Sequence, residues 1–404
     1  MKIVVRKSSQ TKILWMILLL AFIKPAYFGT IARLDQTFNV IRILTVVFIT
    51  GYYTLIKKRF FKFSFLVFIY SIVPLTATFI NSGNIYNAFS FCAVSVGSVM
   101  IMELGAEKEN YIVIDALYLV LEVLIYANLI TMLFFPHGLY LFKTDIGWIS
   151  DQAWLFGLRN AQTTYLLLAC IVDAIYWNIK PRKIGTSLRC LCLYMAVFIT
   201  ISILGTGSGF ISYFLMTLLL VLILLKKVCI QFSYVVAGHL FLFIFMTSLG
   251  RFSTFAAFGD FIGLLVGRAT AVSSRFHIWT VVWDRVLSSP IVGYGILNQS
   301  QLTWLSTIAA GATTSHNTFL DMWFRGGVIC FGLFCLILVY LNKKIATMKE
   351  SHTTLYNVCS IGFLAFFIIA QAEGAMSGTT MYILIALLWV LPDIAEERKN
   401  DSKS

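Results

Sequence analysis

Four polar side chains stand at the start of an apolar segment, in the sequence SHNTFLDMWFRGG of residues 315–327. They are His316, Asn317, Asp321 and Arg325. Burying polar and charged side chains in a bilayer costs free energy, so a helix that enters lipid normally lacks them. These four groups therefore either hold neighbouring helices together or line a reaction site at the membrane surface.

His316 is the candidate acid–base group of this stretch. Ser315 is expected to cap the helix that follows, which places His316 in the first helical turn. The partial positive charge at a helix N-terminus disfavours an imidazolium ion. We therefore expect His316 to be neutral and able to accept a proton. The alternative is an interfacial histidine whose role is only to form hydrogen bonds.

The other polar side chains of the stretch fall on one face of the expected helix. Asn317, Asp321 and Arg325 are spaced four residues apart and form a single stripe. Asp321 and Arg325 can pair along this stripe, and a structural ion pair is the favoured interpretation. Gly326 and Gly327 follow directly and predict the close approach of a neighbouring helix.

The preceding segment, residues 250–315, is rich in arginine. Four arginines stand against two aspartates there, which gives a local charge of +2. Arginine stays charged and binds phosphate through two parallel hydrogen bonds, so one interpretation is an anion site. Arg268 and Arg275 would share a helix face. Solvated arginines with local salt bridges are the alternative, and the four are Arg251, Arg268, Arg275 and Arg285.

The elements that must position these groups are membrane-spanning helices. The chain has 404 residues, 59% hydrophobic and 12% charged, with a mean hydropathy of +0.86. These values exclude an ordinary soluble protein and predict an all-α polytopic membrane protein, one transmembrane domain over residues 1–404. The first apolar run shows no clear cleavage site and is interpreted as a retained helix. The expected spans are 13–29, 38–56, 63–80, 84–102, 112–135, 155–179, 190–205, 208–225, 233–249, 316–341, 354–373 and 380–391.

The net charge is +13, and the basic residues that produce it are distributed according to the expected membrane topology. Basic residues cluster at the N-terminus and in alternate connections, and by the positive-inside rule these connections and both termini are cytoplasmic. The loop 250–315 and His316 are then extracytoplasmic. A nucleic-acid site is disfavoured, because the clusters lie at the ends of spans. Beyond the N-terminus, the clusters fall at 57–62, 180–189, 226–227, 343–349 and 398–403.

The large extracytoplasmic loop, residues 250–315, is expected to carry amphipathic helices and part of the active site. Apolar side chains at helical spacing predict a helix over 275–287, which SSP at 288–290 stops. We expect this helix to lie flat on the outer leaflet with its tryptophans as interfacial anchors. PIVGYG at 290–295 then predicts a turn. The helical stripe consists of Phe276, Trp279, Trp283 and Val286.

Other ionisable residues within the spans show no metal-ligand spacing, and no nucleotide-binding or hydrolase motif is present. GTGSG at 205–209 is expected to be a tight turn between two spans. Arg159, near the outer end of its span, either snorkels outward or faces the same cavity as His316. The scattered groups are Lys24, Arg42, Asp115, Glu122, Arg159, Asp173 and Glu373.

The order of these motifs resembles the bacterial O-antigen ligase/polymerase family, the Wzy-type membrane glycosyltransferases. The family pattern is an arginine before an apolar–Trp pair, a glycine turn, and Ser/Thr-His-Asn opening a span. Here these are Arg275, Ile278–Trp279, PIVGYG and SHN at 315–317, with Gly326–Gly327 at the family's later glycines. GLRN with Asn160 resembles a weaker upstream element. In TGSG at 206–209, Gly209 replaces an arginine that many members carry.

The resemblance implies a GT-C-like architecture and an enzyme that takes a glycan from undecaprenyl pyrophosphate on the outer face of the bacterial cytoplasmic membrane. It implies no cofactor and no metal. His316 would be the base for the acceptor hydroxyl, and Arg275 would hold the pyrophosphate. Arg268 or Arg159 would assist Arg275, and Asn317 would position His316 or the substrate. The substrate-binding candidates are Arg268, Arg159, Asn317 and Asn160.

Three functions are open at this point. A polymerase would build capsule, exopolysaccharide or O-antigen from lipid-linked repeat units. A ligase would move a finished glycan to a different acceptor. A flippase or transporter would also need a cationic cavity, but the paired repeats typical of transporters are not visible. The expected partners are an undecaprenyl-pyrophosphate-linked oligosaccharide, membrane lipids, a chain-length regulator and a flippase, with no nucleic acid.

Overall fold

The computed structural model describes residues 7–58, 62–143, 149–181, 183–249, 269–308, 312, 314–374, 376 and 378–401, and helices dominate this part of the chain. The helices are α1 (Lys7–Phe22), α2 (Ala32–Gly51), α3 (Lys62–Ile80), α4 (Ile85–Phe134), α5 (Arg159–Ile179), α6 (Ile184–Leu204), α7 (Gly207–Leu224), α8 (Phe232–Leu249), α9 (Ala269–Ser288), α10 (Thr303–Ile308), α11 (Thr318–Ala346), α12 (Met348–Ser351), α13 (Thr353–Ala372) and α14 (Thr379–Asp401).

Nine helical stretches in the described part are long and apolar enough to cross a membrane. Two shorter apolar helices, Thr11–Phe22 and Phe232–Ser248, accompany them. The predicted all-α polytopic membrane architecture is thus confirmed, and each expected span overlaps a helix. The number of twelve spans stays a prediction. The nine stretches are Ala32–Lys57, Lys62–Ile80, Ile85–Lys108, Tyr111–Phe134, Ile184–Leu204, Gly207–Leu224, Thr318–Ala346, Thr353–Ala372 and Thr379–Glu397.

The long helix α4 contains two spans that fold back on each other. A Cβ atom placed on Gly105 would lie 2.6 Å from a methyl carbon of Val113. In a straight helix, eight residues would separate these positions by about 12 Å along the axis. The chain therefore turns sharply between Gly105 and Val113, which agrees with two predicted spans, 84–102 and 112–135.

The basic ends of several helices meet acidic side chains of α4 near this bend. Lys57 lies 3.2 Å from Glu107, and Lys180 lies 2.7 Å from Asp115. Lys12 lies 3.9 Å from the same aspartate. The basic connections at the ends of α1, α2 and α5 thus gather at one end of the bundle, here called the basic end. The sequence predicts that this end is cytoplasmic.

Two predicted boundaries are wrong at the opposite end of the bundle. The span 13–29 stops being α-helical at Phe22, and a short 3-10 helix, Ala26–Thr30, follows Pro25. Proline lacks the N–H that would continue the helix. The span 155–179 begins only at Arg159, because the residues before it form a three-stranded antiparallel sheet that was not predicted. Its strands are β1 (Tyr140–Lys143), β2 (Ile149–Trp154) and β3 (Gly157–Leu158).

Helix α9 confirms the predicted helix at 275–287 but not its predicted location. Phe276, Trp279 and Val286 are buried inside the protein, at 8%, 3% and 1% exposure. The ring of Trp283 packs edge-on against Trp323 of α11, with centroids 5.2 Å apart. The expectation that the tryptophans of this helix are exposed interfacial anchors is therefore wrong, whereas its orientation relative to the membrane stays a prediction. The apolar stripe is covered by α8 and α11 instead of lipid.

Helix α11 is interrupted at Gly327, which adopts φ +62° and ψ −166°. This conformation interrupts the helical hydrogen-bond ladder, and glycine adopts it without steric penalty. The N–H of Val328 donates instead to the carbonyl of Pro290 at 2.8 Å. The partner at this break is the PIVGYG turn, which connects α9 to the segment before α11.

The same turn satisfies the carbonyl groups on the other side of the break. The N–H of Tyr294 donates to the carbonyl of Phe324 at 2.8 Å, and the N–H of Gly295 donates to that of Arg325 at 2.9 Å. A Cβ on Gly293 would lie 2.6 Å from the nitrogen of Gly327. The predicted close approach at Gly326–Gly327 thus exists, but at Gly327 the approaching segment is the turn and not a helix.

Substitution of Gly327 by alanine is expected to destabilise the protein strongly. The added Cβ would clash with the carbonyl of Ile291, and alanine disfavours a positive φ. A loss of about 2 kcal/mol or more should lower the melting temperature of the detergent-purified protein by several degrees. Gly332→Ala, in the same helix, is the control: its Cβ would meet no atom within 4 Å. Equal melting temperatures for both variants would contradict the role given to the break.

Candidate active site

The segment before α11 is fixed by its own short-range hydrogen bonds. The helix cap is Asn317 and not the predicted Ser315: the Asn317 side chain accepts from the N–H groups of Phe319 and Leu320, each at 3.1 Å. The hydroxyl of Ser315 donates to the carbonyl of Asn317 at 2.8 Å. The prediction was wrong by two residues, because serine and asparagine are equally good caps and only the local turn selects between them.

His316 therefore precedes the helix instead of lying in its first turn. Its backbone adopts a left-handed conformation with φ +50°. This conformation costs an L-residue about 1–2 kcal/mol, and histidine is among the residues that adopt it more often. The hydrogen bonds of Ser315 and Asn317 on both sides hold the strained residue in place. Such strain in a bonded turn is typical of functional positions.

The imidazole of His316 and the guanidinium of Arg275 meet at one carboxylate, that of Glu373. The Nδ1 atom of His316 lies 3.1 Å from one oxygen of Glu373, and a terminal nitrogen of Arg275 donates to the other oxygen. Glu373 is 8% exposed and follows the end of α13. Three segments that are distant in sequence thus converge, with the carboxylate at the centre.

This arrangement defines the chemistry available to His316. When Glu373 is ionised it can only accept a hydrogen bond, and the Nδ1 atom of His316 that faces it is then the donor. A neutral imidazole then presents an unprotonated Nε2 that can accept a proton from another molecule. The carboxylate also fixes the orientation of the ring, as in the catalytic triads of hydrolases. The backbone is held as well, since Thr318 Oγ1 donates to the carbonyl of Glu373 at 2.8 Å.

Asn317 joins the start of α11 to α13. Its amide nitrogen donates to both the backbone carbonyl and the side-chain oxygen of Gln371, each at 3.1 Å. Gln371 in turn donates to the carbonyl of His239 in α8 at 2.9 Å. Asn317 is completely buried. Of the two predicted roles, positioning His316 fits this environment better than contacting substrate.

Asp321 and Arg325 brace the segment from the helix side. Their charged groups lie 3.6 Å apart, which agrees with a structural ion pair. Asp321 also accepts a hydrogen bond from the N–H of Ser315 at 3.0 Å. The indole N–H of Trp279 donates to the carbonyl of Ser315 at 3.0 Å. Helix α9 and helix α11 thus both hold the residue next to His316.

The other predicted site residues lie in different surroundings. Arg159 donates to the carbonyl of Leu204 at the end of α6, at 2.9 Å from Nε, and to Gln152 in β2 at 3.0 Å. Asn160, the second residue of α5, is half-buried, and its carbonyl accepts from Thr163 at 2.6 Å. Arg159 thus connects α5, α6 and the sheet, whereas Arg275 contacts Glu373. Arg268 and Arg251 lie outside the described residues.

Gly209 occupies a position without room for a side chain. A Cβ there would lie 3.0 Å from a methyl carbon of Thr163 and 2.5 Å from the hydroxyl oxygen of Thr206. Gly205 has φ +59° and ends α6, and α7 begins at Gly207. The predicted tight turn at 205–209 is confirmed.

Glu373 is a residue of the site that the sequence patterns did not predict. It was grouped with the scattered ionisable residues of the spans, and its partners are 57 and 98 positions away. A signal exists in the sequence: Glu373 is the only Asp, Glu, Lys or Arg between Glu350 and Asp393. An isolated charge at the end of an apolar segment is expected to have a partner or a function.

A small cavity lies beside the SHN segment. Its polar wall includes Ser315, Asp321 and Arg325, and its apolar wall comes from the turn and from α10. Among the residues that the structure describes, no group of three or more His, Cys, Asp or Glu is arranged to hold a metal ion. The complete lining is Val282, Gly295, Ile296, Leu297, Leu302, Trp304, Leu305, Thr314, Ser315, Asp321, Phe324 and Arg325.

Comparison with known proteins identifies related chains. Residues 190–337 match the family model described as O-antigen ligase. The general O-oligosaccharyltransferase of Acinetobacter baylyi is 27% identical over an alignment of 155 residues, and the match covers 31% of this chain. The match covers 27% of that relative's length, about a quarter. The family match contains Arg275 and His316 and ends before Glu373.

The hydrogen bonds between Asn317 and Gln371 predict that the Asn317→Ala variant is less stable than the Gln371→Ala variant. Asn317→Ala removes both the helix cap and two donated hydrogen bonds, whereas Gln371→Ala leaves the cap intact. We expect Asn317→Ala to cost about 1 kcal/mol more than Gln371→Ala. Melting temperatures of both variants and of the double variant would measure this difference and the coupling between the residues. Additive effects would show that the two side chains do not interact.

Proposed function

We propose that this chain, a member of the O-antigen ligase/polymerase family, is a membrane glycosyltransferase that moves a glycan from undecaprenyl pyrophosphate to the hydroxyl of an acceptor sugar. The observation that carries the proposal is the meeting of His316 and Arg275 at the carboxylate of Glu373. Glycosyl transfer from a pyrophosphate needs a base for the acceptor and a cation for the leaving group. This cluster supplies both.

His316 acts on the acceptor in this proposal. Its Nε2 atom accepts the proton of the acceptor hydroxyl while the hydroxyl oxygen bonds to the anomeric carbon of the donor sugar. Glu373 keeps the proton on Nδ1, orients the ring and stabilises the imidazolium that forms. Glu373 is therefore a positioning residue. The proton later leaves His316 for the departing pyrophosphate or for solvent.

Arg275 acts on the leaving group. As the bond between the anomeric carbon and the phosphate oxygen breaks, its electron pair stays on the pyrophosphate, and negative charge grows there. A guanidinium can donate two parallel hydrogen bonds to that group. Arg275 is only partly buried, with 25% of its side chain exposed, so an anionic donor can reach it. Charge stabilisation by arginine is the basis for proposing a metal-independent reaction.

The site lies at the end of the bundle away from the basic end. Arg275 lies in α9 and His316 directly precedes α11, whereas Lys57 and Lys180 contact α4 at its bend. If the basic end is cytoplasmic, the reaction takes place on the outer face of the bacterial cytoplasmic membrane. A flippase would then have to deliver the lipid-linked glycan, and a chain-length regulator is a further expected partner.

We propose polymerisation of lipid-linked repeat units as the specific reaction, giving capsule, exopolysaccharide or O-antigen. In that case the acceptor is the terminal sugar of another lipid-linked unit. A second candidate is the transfer of a glycan to a different molecule, which the names of the matched family and relative favour. The catalytic cluster serves both reactions, since each needs a hydroxyl acceptor and a pyrophosphate leaving group. Acceptor identity separates them.

Replacement of His316 is expected to abolish transfer. Purified protein in nanodiscs would be incubated with the lipid-linked repeat unit of the native pathway, and the products separated on a gel. Wild type should give a ladder of multimers, whereas His316→Ala and Arg275→Ala should leave the donor intact. A ladder from the histidine variant at the wild-type rate would refute the assignment. Transfer by wild type only after addition of another acceptor would favour the ligase.

Replacement of Glu373 by glutamine tests its positioning role. Glutamine keeps the size but removes the charge and can face His316 with its NH₂ group, so we expect kcat to fall about 10²–10⁴-fold with a smaller change in donor KM. Glu373→Asp should recover part of the loss. Glu396→Gln, an exposed carboxylate near the C-terminal end of α14, is the matched control. A Glu373→Gln protein that folds and keeps the wild-type kcat would exclude the role.

A further inference from the structure

A second pocket opens at the same end of the bundle as the candidate active site. It has a volume of about 350 Å³ and lies between the start of α4 and the segment that follows the PIVGYG turn. None of its lining residues in the described part of the chain is charged. The lining consists of Asn84, Asn87, Leu297, Asn298, Gln299 and Ser300.

Two hydrogen bonds to backbone carbonyl groups hold the two walls of this pocket together. The N–H of Asn84 donates to the carbonyl of Ile296 at 2.7 Å, and Gln301 Nε2 donates to the carbonyl of Asn81 at 3.4 Å. Asn298 and Gln301 cap the short helix reciprocally. The polar groups of the lining are therefore fixed on a rigid frame, which lowers the entropy cost of binding a ligand.

The chemistry of the lining selects a neutral, hydroxyl-rich ligand. Each asparagine or glutamine side chain offers both donors and acceptors, and serine offers a hydroxyl that does either. Neighbouring sugar hydroxyls present the same combination. An anionic ligand would need a cation to replace its hydration, and a cationic ligand would need a carboxylate. The lining contains neither.

The pocket adjoins the cavity beside the SHN segment. Leu297 lines both the pocket and this cavity. The wall of the cavity also includes Ser315, the residue before His316. The segment of residues 295–302 thus lies between the amide-lined pocket and the cavity beside the SHN segment. A glycan held in the pocket would lie beside that cavity, whose wall includes the residue before His316.

We infer that this amide-lined pocket is the subsite for the acceptor glycan, and that it binds neutral sugars through Asn87, Asn298, Gln299 and Ser300. The inference rests on the proposed function, because it gives the pocket a role in transfer. Arg275 serves the charged part of the donor. The pocket serves the uncharged acceptor, and it determines which sugar is presented to His316.

The test uses the double variant Asn87→Ala/Ser300→Ala. Both residues are exposed, and Asn87→Ala keeps the cap of α4 because Asn84 bonds the backbone N–H of Asn87. Ser306→Ala is the control, since its exposed hydroxyl bonds only the carbonyl of Thr303 within α10. The probe is the glycan released by mild acid from the lipid extract of cells that lack this protein. Its binding to each protein in nanodiscs would be measured by saturation-transfer NMR.

Loss of two hydrogen bonds should weaken binding of the released glycan about tenfold or more in the double variant and leave the control unchanged. The KM for that glycan as acceptor should rise by the same factor, with kcat and donor KM unchanged. Equal binding by wild type and the double variant, a rise in donor KM alone, or no binding by wild type would each overturn the inference. A His316→Ala protein that still transfers would refute the proposed function, while the binding measurement would still report on the pocket.

Discussion

The structure depends on an exchange of backbone hydrogen bonds at the break in α11. In lipid no water is available, so every N–H and C=O that a helix gives up must find a partner within the protein. At Gly327 those partners are the backbone groups of Pro290, Tyr294 and Gly295 in the turn. The turn is thereby fixed to α11. Because the turn ends α9, the same exchange sets the position of Arg275 relative to His316.

A carboxylate from a third segment completes this frame. Glu373 lies where α13 ends. One of its carboxylate oxygens contacts the imidazole of His316, and the other accepts a hydrogen bond from the guanidinium of Arg275. Gln371, two residues earlier, holds Asn317 and so the start of α11. The end of α13 thus positions the histidine twice, once through its ring and once through the backbone that follows it. A site built on the ends of rigid helices keeps its geometry better than one built on free loops.

Local patterns in the sequence predicted what depends on nearby residues. Hydropathy predicted the membrane helices, and helical spacing of apolar residues predicted the helix at 275–287. The basic residues at the span ends were predicted to lie on one side, and several of them gather at the basic end of the bundle. The predictions failed where the deciding partner is distant. Trp279 is buried because α8 and α11 cover it, and Glu373 joins the site through contacts over 57 and 98 positions. The cap at Asn317 was missed because a second good cap, Ser315, stands two residues before it.

The left-handed backbone of His316 limits what evolution can place at this position. A replacement must supply suitable chemistry and also tolerate a positive φ. Glycine, asparagine and aspartate accept the conformation more readily than other residues, yet none of them offers an imidazole. Lysine or cysteine would bring a reactive group but meet the full backbone penalty. The proposed role of His316 therefore adds a chemical requirement to a backbone requirement at one position, and the pockets around it can change more easily than this residue.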